Sequence, residues 1–100
     1  MRRTGRAVAA TLIALPLLAG AANPERGAQL YTHHCAGCHG ADGRPAFAGA
    51  PDFRRLGPLM KSDLALLASV RGGRGAMPAY QAVLRDRDIL DLIAHLRTLP

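Results

Sequence analysis

The sequence of 100 residues contains no tryptophan, two phenylalanines, two tyrosines and a single lysine, Lys61. No stretch alternates polar and apolar residues as a half-buried strand does, so nothing in it predicts a sheet. It has two cysteines, without a second pair elsewhere, and no internal repeat. These absences exclude repeat architectures and sheet-based folds, and they leave a small helical domain as the expected structure.

The first 22 residues have the pattern of a secretory signal peptide. Three arginines precede an apolar run over residues 7–20, and Ala19-Gly20-Ala21 fits a small-residue cleavage site. The run is shorter than the roughly 20 residues of a spanning helix, and Pro16 interrupts it, which favours cleavage over a retained anchor. We predict a leader at 1–22, a single domain at 23–100, export to the periplasm and no stable membrane insertion after cleavage.

The net charge of the mature part is much smaller than that of the whole chain. The formal net charge is +6, and the leader holds three arginines and no acidic residue. The part from residue 23 therefore keeps 10 basic and 7 acidic residues, a net charge of +3. A nucleic-acid interface needs a clustered basic face, so no nucleic-acid partner is expected.

Capping residues and periodicity predict three helices in the mature part. Asn23 suits an N-cap before Pro24, Ser62 suits the cap of a second helix that stops at RGGRG, and Asp86 suits the cap of a third. Residues 40–58 are rich in glycine and proline and are predicted to be a loop. The third helix has an apolar stripe of helical period: Ile89, Leu92, Ile93 and Leu96. An all-α domain this small, with loops this long, needs something to wrap around.

The segment HHCAGCHG, residues 33–40, contains two cysteines and three histidines. Cys35, Cys38 and His39 form C-x-x-C-H, the haem c attachment signature. Two thiols at this spacing reach two vinyl groups of one porphyrin, and the histidine that follows can ligate its iron. A zinc site usually needs two separated ligand pairs, a dithiol redox site usually lies in a βαβ context, and a disulfide here would close only a tiny loop. The favoured interpretation is one covalently attached haem c.

Four segments in order resemble the class I cytochromes c, in their short bacterial form: GAQLYTHHCAGCHGADG, GAPDFRRL, RGGRGAMPAY and DILDLIAHLRTL. The resemblance extends from about residue 24 to residue 99. It implies three to five short helices and long loops wrapped around one covalently bound haem. It also implies that the first and last helices cross near Gly27 and Tyr31.

The same resemblance implies a set of ligands. His39 and Met77 match the two axial ligands of the haem iron, and Pro51 matches the loop proline whose carbonyl holds the other ring nitrogen of His39. A histidine and methionine pair raises the reduction potential, because the neutral thioether favours ferrous iron. Met60 is the competing thioether, and we assign it to the core instead.

Other residues near the motif have plainer interpretations. His33 and His34 are expected on the helix surface, and His95, where relatives often have an aromatic residue, is expected to be partly buried. Four arginines flank the predicted haem loops, where one or two could pair with the haem propionates and the others form a partner-facing rim: Arg54, Arg55, Arg71 and Arg74.

These observations predict a periplasmic one-electron carrier rather than an enzyme. Its partners would be redox proteins that meet the haem edge through a small, transient interface, and it would be a monomer. Two alternatives stay open at this point. One is a dedicated electron-transfer subunit of a dehydrogenase or oxidase complex, and the other is a ligand-binding or peroxidatic haem protein in which Met77 is not bound to the iron.

Overall fold

The computed structural model describes residues 4–5, 7–11 and 21–100. Most of the apolar run of the predicted leader lies outside these residues. Every regular element within them is a helix, in the order α1 Pro24–His34, α2 Ala36–His39, α3 Asp63–Gly72 and α4 Asp86–Leu96. None of the described helices is both long enough and apolar enough to cross a membrane.

Two of the predicted helix starts are confirmed by their capping bonds. The Asn23 side chain accepts a hydrogen bond from the backbone N–H of Arg26 at 3.1 Å, at the start of α1. The Ser62 hydroxyl accepts one from the backbone N–H of Ala65 at 3.1 Å, at the start of α3. Each cap satisfies a donor that the first turn of a helix leaves without a partner.

The start of α4 differs from the prediction by one residue. Arg85, not Asp86, occupies the N-cap position, and Asp86 is the first helical residue. The reason lies further along the helix, because the Asp88 carboxylate accepts a hydrogen bond from the backbone N–H of Arg85 at 3.0 Å. The short helix α2 was not predicted, since its four residues are too few to show a period.

The core is a single small cluster built largely on α4. The predicted apolar stripe of this helix is buried, together with one side chain from α1, one from α3 and one from the segment before α4. Its members are Tyr31, Leu67, Leu84, Ile89, Leu92, Ile93 and Leu96. Both α1 and α3 pack on α4, which therefore forms the base of the domain.

The contact between α1 and α4 brings two main chains together at Gly27. A Cβ atom on Gly27 would overlap the carbonyl oxygen of Asp91, so only glycine fits there. Charged groups flank this contact: Arg26 pairs with Asp88 and with Asp91, the latter at 3.2 Å. The backbone N–H of Asn23 donates to the Asp91 carboxylate at 2.8 Å. The predicted close approach at Gly27 is thus present, and ion pairs and a hydrogen bond surround it.

A second link joins the end of α4 to the loop that precedes α3. The Arg97 guanidinium donates to the carbonyl of Leu59, to the carbonyl of Lys61 at 2.7 Å and to the carboxylate of Asp63 at 2.9 Å. Three acceptors on one guanidinium hold this loop against the C-terminal helix. Their separation of 34 to 38 residues from Arg97 hides the link from any local sequence pattern.

Replacing Gly27 by alanine tests the close approach of α1 and α4. We expect Gly27→Ala to lower the free energy of unfolding by about 3 kcal/mol, the upper end of the cost of overpacking, because the clash is with backbone. Gly72→Ala is the matched control, since a Cβ atom there meets nothing within 4 Å. Denaturant unfolding of both variants measures the difference, and equal stability would contradict the contact described here.

Candidate functional site

The C-x-x-C-H segment follows α1 directly and forms α2. Cys35 ends α1 and its carbonyl accepts hydrogen bonds from the backbone N–H groups of Cys38 at 3.2 Å and His39 at 2.9 Å. This turn places Cys38 and His39 three and four residues after Cys35, about one helical turn further along the chain. Cys35 is partly buried and Cys38 is exposed.

His39 is held in a defined orientation inside the domain. Its ring is buried and stacks on Phe53, with centroids 4.6 Å apart and planes 21° from parallel. Burial lowers the pKa of His39, which favours the neutral imidazole. The neutral ring is the form that binds a metal.

The ring nitrogen Nδ1 of His39 has no hydrogen-bond partner among the described residues, although it is buried. Buried polar atoms in folded proteins almost always have one, so this nitrogen calls for an explanation. The resemblance implied that the Pro51 carbonyl fills this role. Pro51 lies on the same cavity as His39, but the structure shows no hydrogen bond between them, so this bond stays a prediction.

Met77 is presented by a tight turn after α3. The backbone N–H of Arg74 donates to the Met77 carbonyl at 3.1 Å, and that of Met77 donates to the Arg74 carbonyl at 2.9 Å. Gly75, inside the turn, has a φ of +54°, which a glycine adopts at little cost. Gly73 has a φ of +74°, and a Cβ atom on it would approach the Met77 carbonyl to 2.7 Å. Both glycines are therefore required by the turn that carries Met77.

One cavity of about 680 Å³ brings these segments together. Its volume lies within the range of roughly 300–1,000 Å³ that is usual for small-molecule and cofactor sites. Its wall is mainly apolar and includes every residue of the predicted site: Cys35, Cys38, His39, Pro51 and Met77. Two thiols, a buried imidazole and a thioether on one apolar cavity fit a covalently attached haem.

Two residues that could compete as iron ligands, Met60 and His34, lie in surroundings other than those predicted. Met60 is 75% exposed and does not line the cavity, so its assignment to the core is wrong. His33 is exposed, as predicted, but His34 is half-buried and lines the cavity. The backbone carbonyl of His34 accepts a hydrogen bond from the Tyr80 hydroxyl at 2.9 Å, which links the end of α1 to the segment after Met77.

Tyr31 holds the end of α2 in place through a hydrogen bond. Its hydroxyl donates to the carbonyl of Gly40, the residue after His39, at 2.5 Å. His95 occupies the position of the expected aromatic residue and is partly buried as predicted, with its ring 5.1 Å from that of Tyr31. Burial raises the pKa of Tyr31 to about 12, so the hydroxyl stays a donor throughout the physiological range.

The thiol environment argues against dithiol redox chemistry. Burial, with a smaller contribution from the charge of Cys38, raises the pKa of Cys35 to about 11. Reactive C-x-x-C thiols need a lowered pKa instead, because the thiolate is the nucleophile. No cluster of three or more His, Cys, Asp or Glu side chains suited to a metal ion occurs in the described part of the chain.

The four arginines that flank the predicted haem loops divide into two groups. Arg54 and Arg55 pair with Asp52 at 2.9 and 3.9 Å, and Arg71 pairs with Asp86 at 3.3 Å. None of these three lines the cavity, whereas Arg74 does. Lys61, which sequence reasoning did not single out as a site residue, lines it as well.

Comparison with known proteins agrees with this geometry. The family model described as cytochrome c oxidase, cbb3-type, subunit III matches residues 22–96. Cytochrome c6 of Thermosynechococcus vestitus is 32% identical over 91 residues, which cover 87% of this chain and 80% of that protein. Cytochrome c6 of Bryopsis maxima is 32% identical over 83 residues, which cover 72% of this chain and 86% of that protein.

A solved structure shares the fold. The structure of cytochrome c6 from the diatom Phaeodactylum tricornutum superimposes with a TM-score of 0.64 over 74% of this chain and 90% of that one. The sequence identity is 24%, so this likeness concerns the fold alone. The predicted fold class, helices and long loops around a haem site, is confirmed.

Replacing Tyr31 by phenylalanine tests the support under His39. We expect Tyr31→Phe to lower the free energy of unfolding by roughly 1–3 kcal/mol at pH 7, because the partly buried Gly40 carbonyl loses its donor. The native pKa of about 12 lies above the ordinary value of 10.0, so the unfolded chain loses this proton first. The stability tied to Tyr31 is therefore complete below about pH 10 and is lost as the pH rises towards 12. Denaturant unfolding from pH 7 to pH 11 should show the two proteins converge, and a constant gap would contradict the proton linkage.

Proposed function

Because this chain belongs to the family of small class I c-type cytochromes, we propose that Cys35 and Cys38 hold the haem through thioether bonds and that His39 and Met77 are its axial ligands. The observation that carries the proposal is the single apolar cavity whose wall includes all four residues. The buried ring of His39, stacked on Phe53, adds to it, since a ligating imidazole needs a fixed orientation.

Membership of this family makes the protein a monohaem electron carrier with one covalently attached haem c, and not an enzyme. When bound, the haem supplies an iron that gains or loses one electron. The residues of the chain govern how this happens. His39 is fixed by Phe53, Met77 offers a soft neutral sulfur that favours the reduced state, and the apolar wall excludes water. Ligands on both faces would leave no place for a substrate.

The protein acts with redox partners. We propose that they meet it at the edge marked by the exposed Cys38, through a small interface of the kind used in transient electron transfer. We further propose a periplasmic monomer that is exported by a signal peptide, residues 1–22, which is then cleaved. The family model is described as an oxidase subunit, but the cytochrome c6 relatives match over most of their own length, which favours a free carrier over a dedicated subunit.

An optical redox titration of the purified haem protein tests the ligand set. We expect a single one-electron wave at positive potential, and a weak far-red band in the oxidised protein that is typical of sulfur-ligated ferric haem. Both follow from a histidine and methionine pair on the iron. A negative midpoint without the far-red band would contradict ligation by Met77.

Replacing Met77 separates a carrier from a ligand-binding haem protein. We expect Met77→Ala to lose the far-red band, to lower the midpoint potential and to bind carbon monoxide in the ferrous state, since one face of the iron is freed. Met60→Ala is the matched control, because Met60 is exposed and lies outside the cavity. Carbon monoxide titration of the three proteins measures the effect. Ready binding by the unmodified protein would favour the ligand-binding alternative.

A further inference from the structure

The cavity has charge of one sign only. Its wall includes two permanently charged side chains, Lys61 and Arg74, and none of the described residues that line it is an aspartate or glutamate. Both side chains are exposed, whereas most of the wall is apolar. The two cations therefore stand where the cavity opens to solvent, and the interior has no counter-charge for them.

These two cations also have no partner elsewhere in the described part of the chain. Neither side chain takes part in an ion pair or a side-chain hydrogen bond there, although three nearby arginines do. The engaged arginines lie off the cavity wall: Arg54, Arg55 and Arg71. Ion pairs thus engage these three arginines, whereas Lys61 and Arg74, on the cavity wall, have no ionic partner in the described part of the chain.

Hydrogen bonds to main-chain atoms hold the backbone of both residues in place. The carbonyl of Lys61 accepts a hydrogen bond from the Arg97 guanidinium at 2.7 Å, which ties this residue to the end of α4. Arg74 is paired through its backbone with Met77 in both directions. One cation thus belongs to the loop before α3 and the other to the turn after α3, so the two approach the cavity from different segments.

We propose that Lys61 and Arg74 bind the two propionate carboxylates of the haem. The inference rests on the proposed function, because it requires the haem to occupy this cavity. A haem is an apolar ring with two carboxylates on one edge, and a carboxylate at an apolar wall is costly unless it is paired and hydrogen-bonded. Two cations without partners match two carboxylates in number and in sign, and an arginine can bind one with two parallel hydrogen bonds.

Arg97 is a positioning residue in this arrangement. It does not line the cavity, but it holds the segment 59–63 that carries Lys61. The end of α4 thereby determines where Lys61 would bind one propionate, and the turn before Met77 determines where Arg74 would bind the other. The propionate edge of the haem would then be oriented by the loop that carries Lys61 and the turn that carries Arg74, and not by the helical turn that carries the two cysteines.

The test compares Lys61→Gln and Arg74→Gln with Arg55→Gln, a control that removes an exposed cation outside the cavity. The haem-loaded proteins are studied by resonance Raman spectroscopy in the region of the propionate bending modes, and by spectroelectrochemistry. Each cavity variant should shift a propionate mode and lower the midpoint potential, because a nearby cation disfavours the extra positive charge of oxidised haem. Arg55→Gln should leave the propionate modes unchanged, and Lys61→Arg should restore them.

Propionate modes that match the unmodified protein in either cavity variant would overturn the proposal. The far-red band keeps this outcome separate from failure of the proposed ligands. If the unmodified protein lacks that band, ligation by Met77 is wrong, whereas its presence with unchanged propionate modes overturns only the roles of Lys61 and Arg74. If Arg74→Gln disturbs the turn of Met77 and loses the band, Arg74→Lys and the Lys61 variants, which leave that turn intact, decide the outcome.

Discussion

The approach of two main chains at Gly27 and Asp91 sets the positions of nearly everything else in this domain. Because α1 lies against α4 at that point, the end of α1 is fixed, and the C-x-x-C-H turn follows from it without an intervening loop. Tyr31 then ties this turn to the core through the Gly40 carbonyl. At the other end of α4, Arg97 holds the loop that closes the cavity. The contact at Gly27 thus fixes the helix that leads into the two cysteines and His39, and the Arg97 hydrogen bonds fix the loop that carries Lys61.

The site is a large feature of a small protein. A core of seven buried hydrophobic side chains is little for a domain of this length, and the cavity of about 680 Å³ lies beside it, with Ile93 and Leu96 on both. Chains of this size usually need a covalent or metal-based addition to be stable. A haem attached through two cysteines would fill the cavity and extend the core across the wall that α3 and the loops provide. Function and stability would then rest on the same group.

What the sequence predicted well was local, and what it missed was long-range. Side-chain capping at Asn23 and Ser62 and the stripe on α4 are visible in the sequence, because each involves residues within one or two turns. The cap of α4 was misplaced by one residue since the deciding carboxylate, Asp88, lies inside the helix. The exposure of Met60 and the loop contacts of Arg97 depend on how distant segments pack, and no spacing rule encodes them. The predicted site residues on the cavity wall came from the motif and the family resemblance, whereas Lys61 belongs to neither.

The segment that carries Met77 is anchored on both sides. Before it lies the turn with Arg74, and after it the backbone N–H of Tyr80 donates to the Val70 carbonyl at 3.1 Å while the Tyr80 hydroxyl donates to the His34 carbonyl. The segment that follows Met77 is thus hydrogen-bonded directly to the end of α1, the helix that leads into the two cysteines and His39. An electron can be gained or lost with little rearrangement of such a frame, so the nuclear reorganisation that limits the rate of transfer would fall mainly on the surrounding water and on the partner.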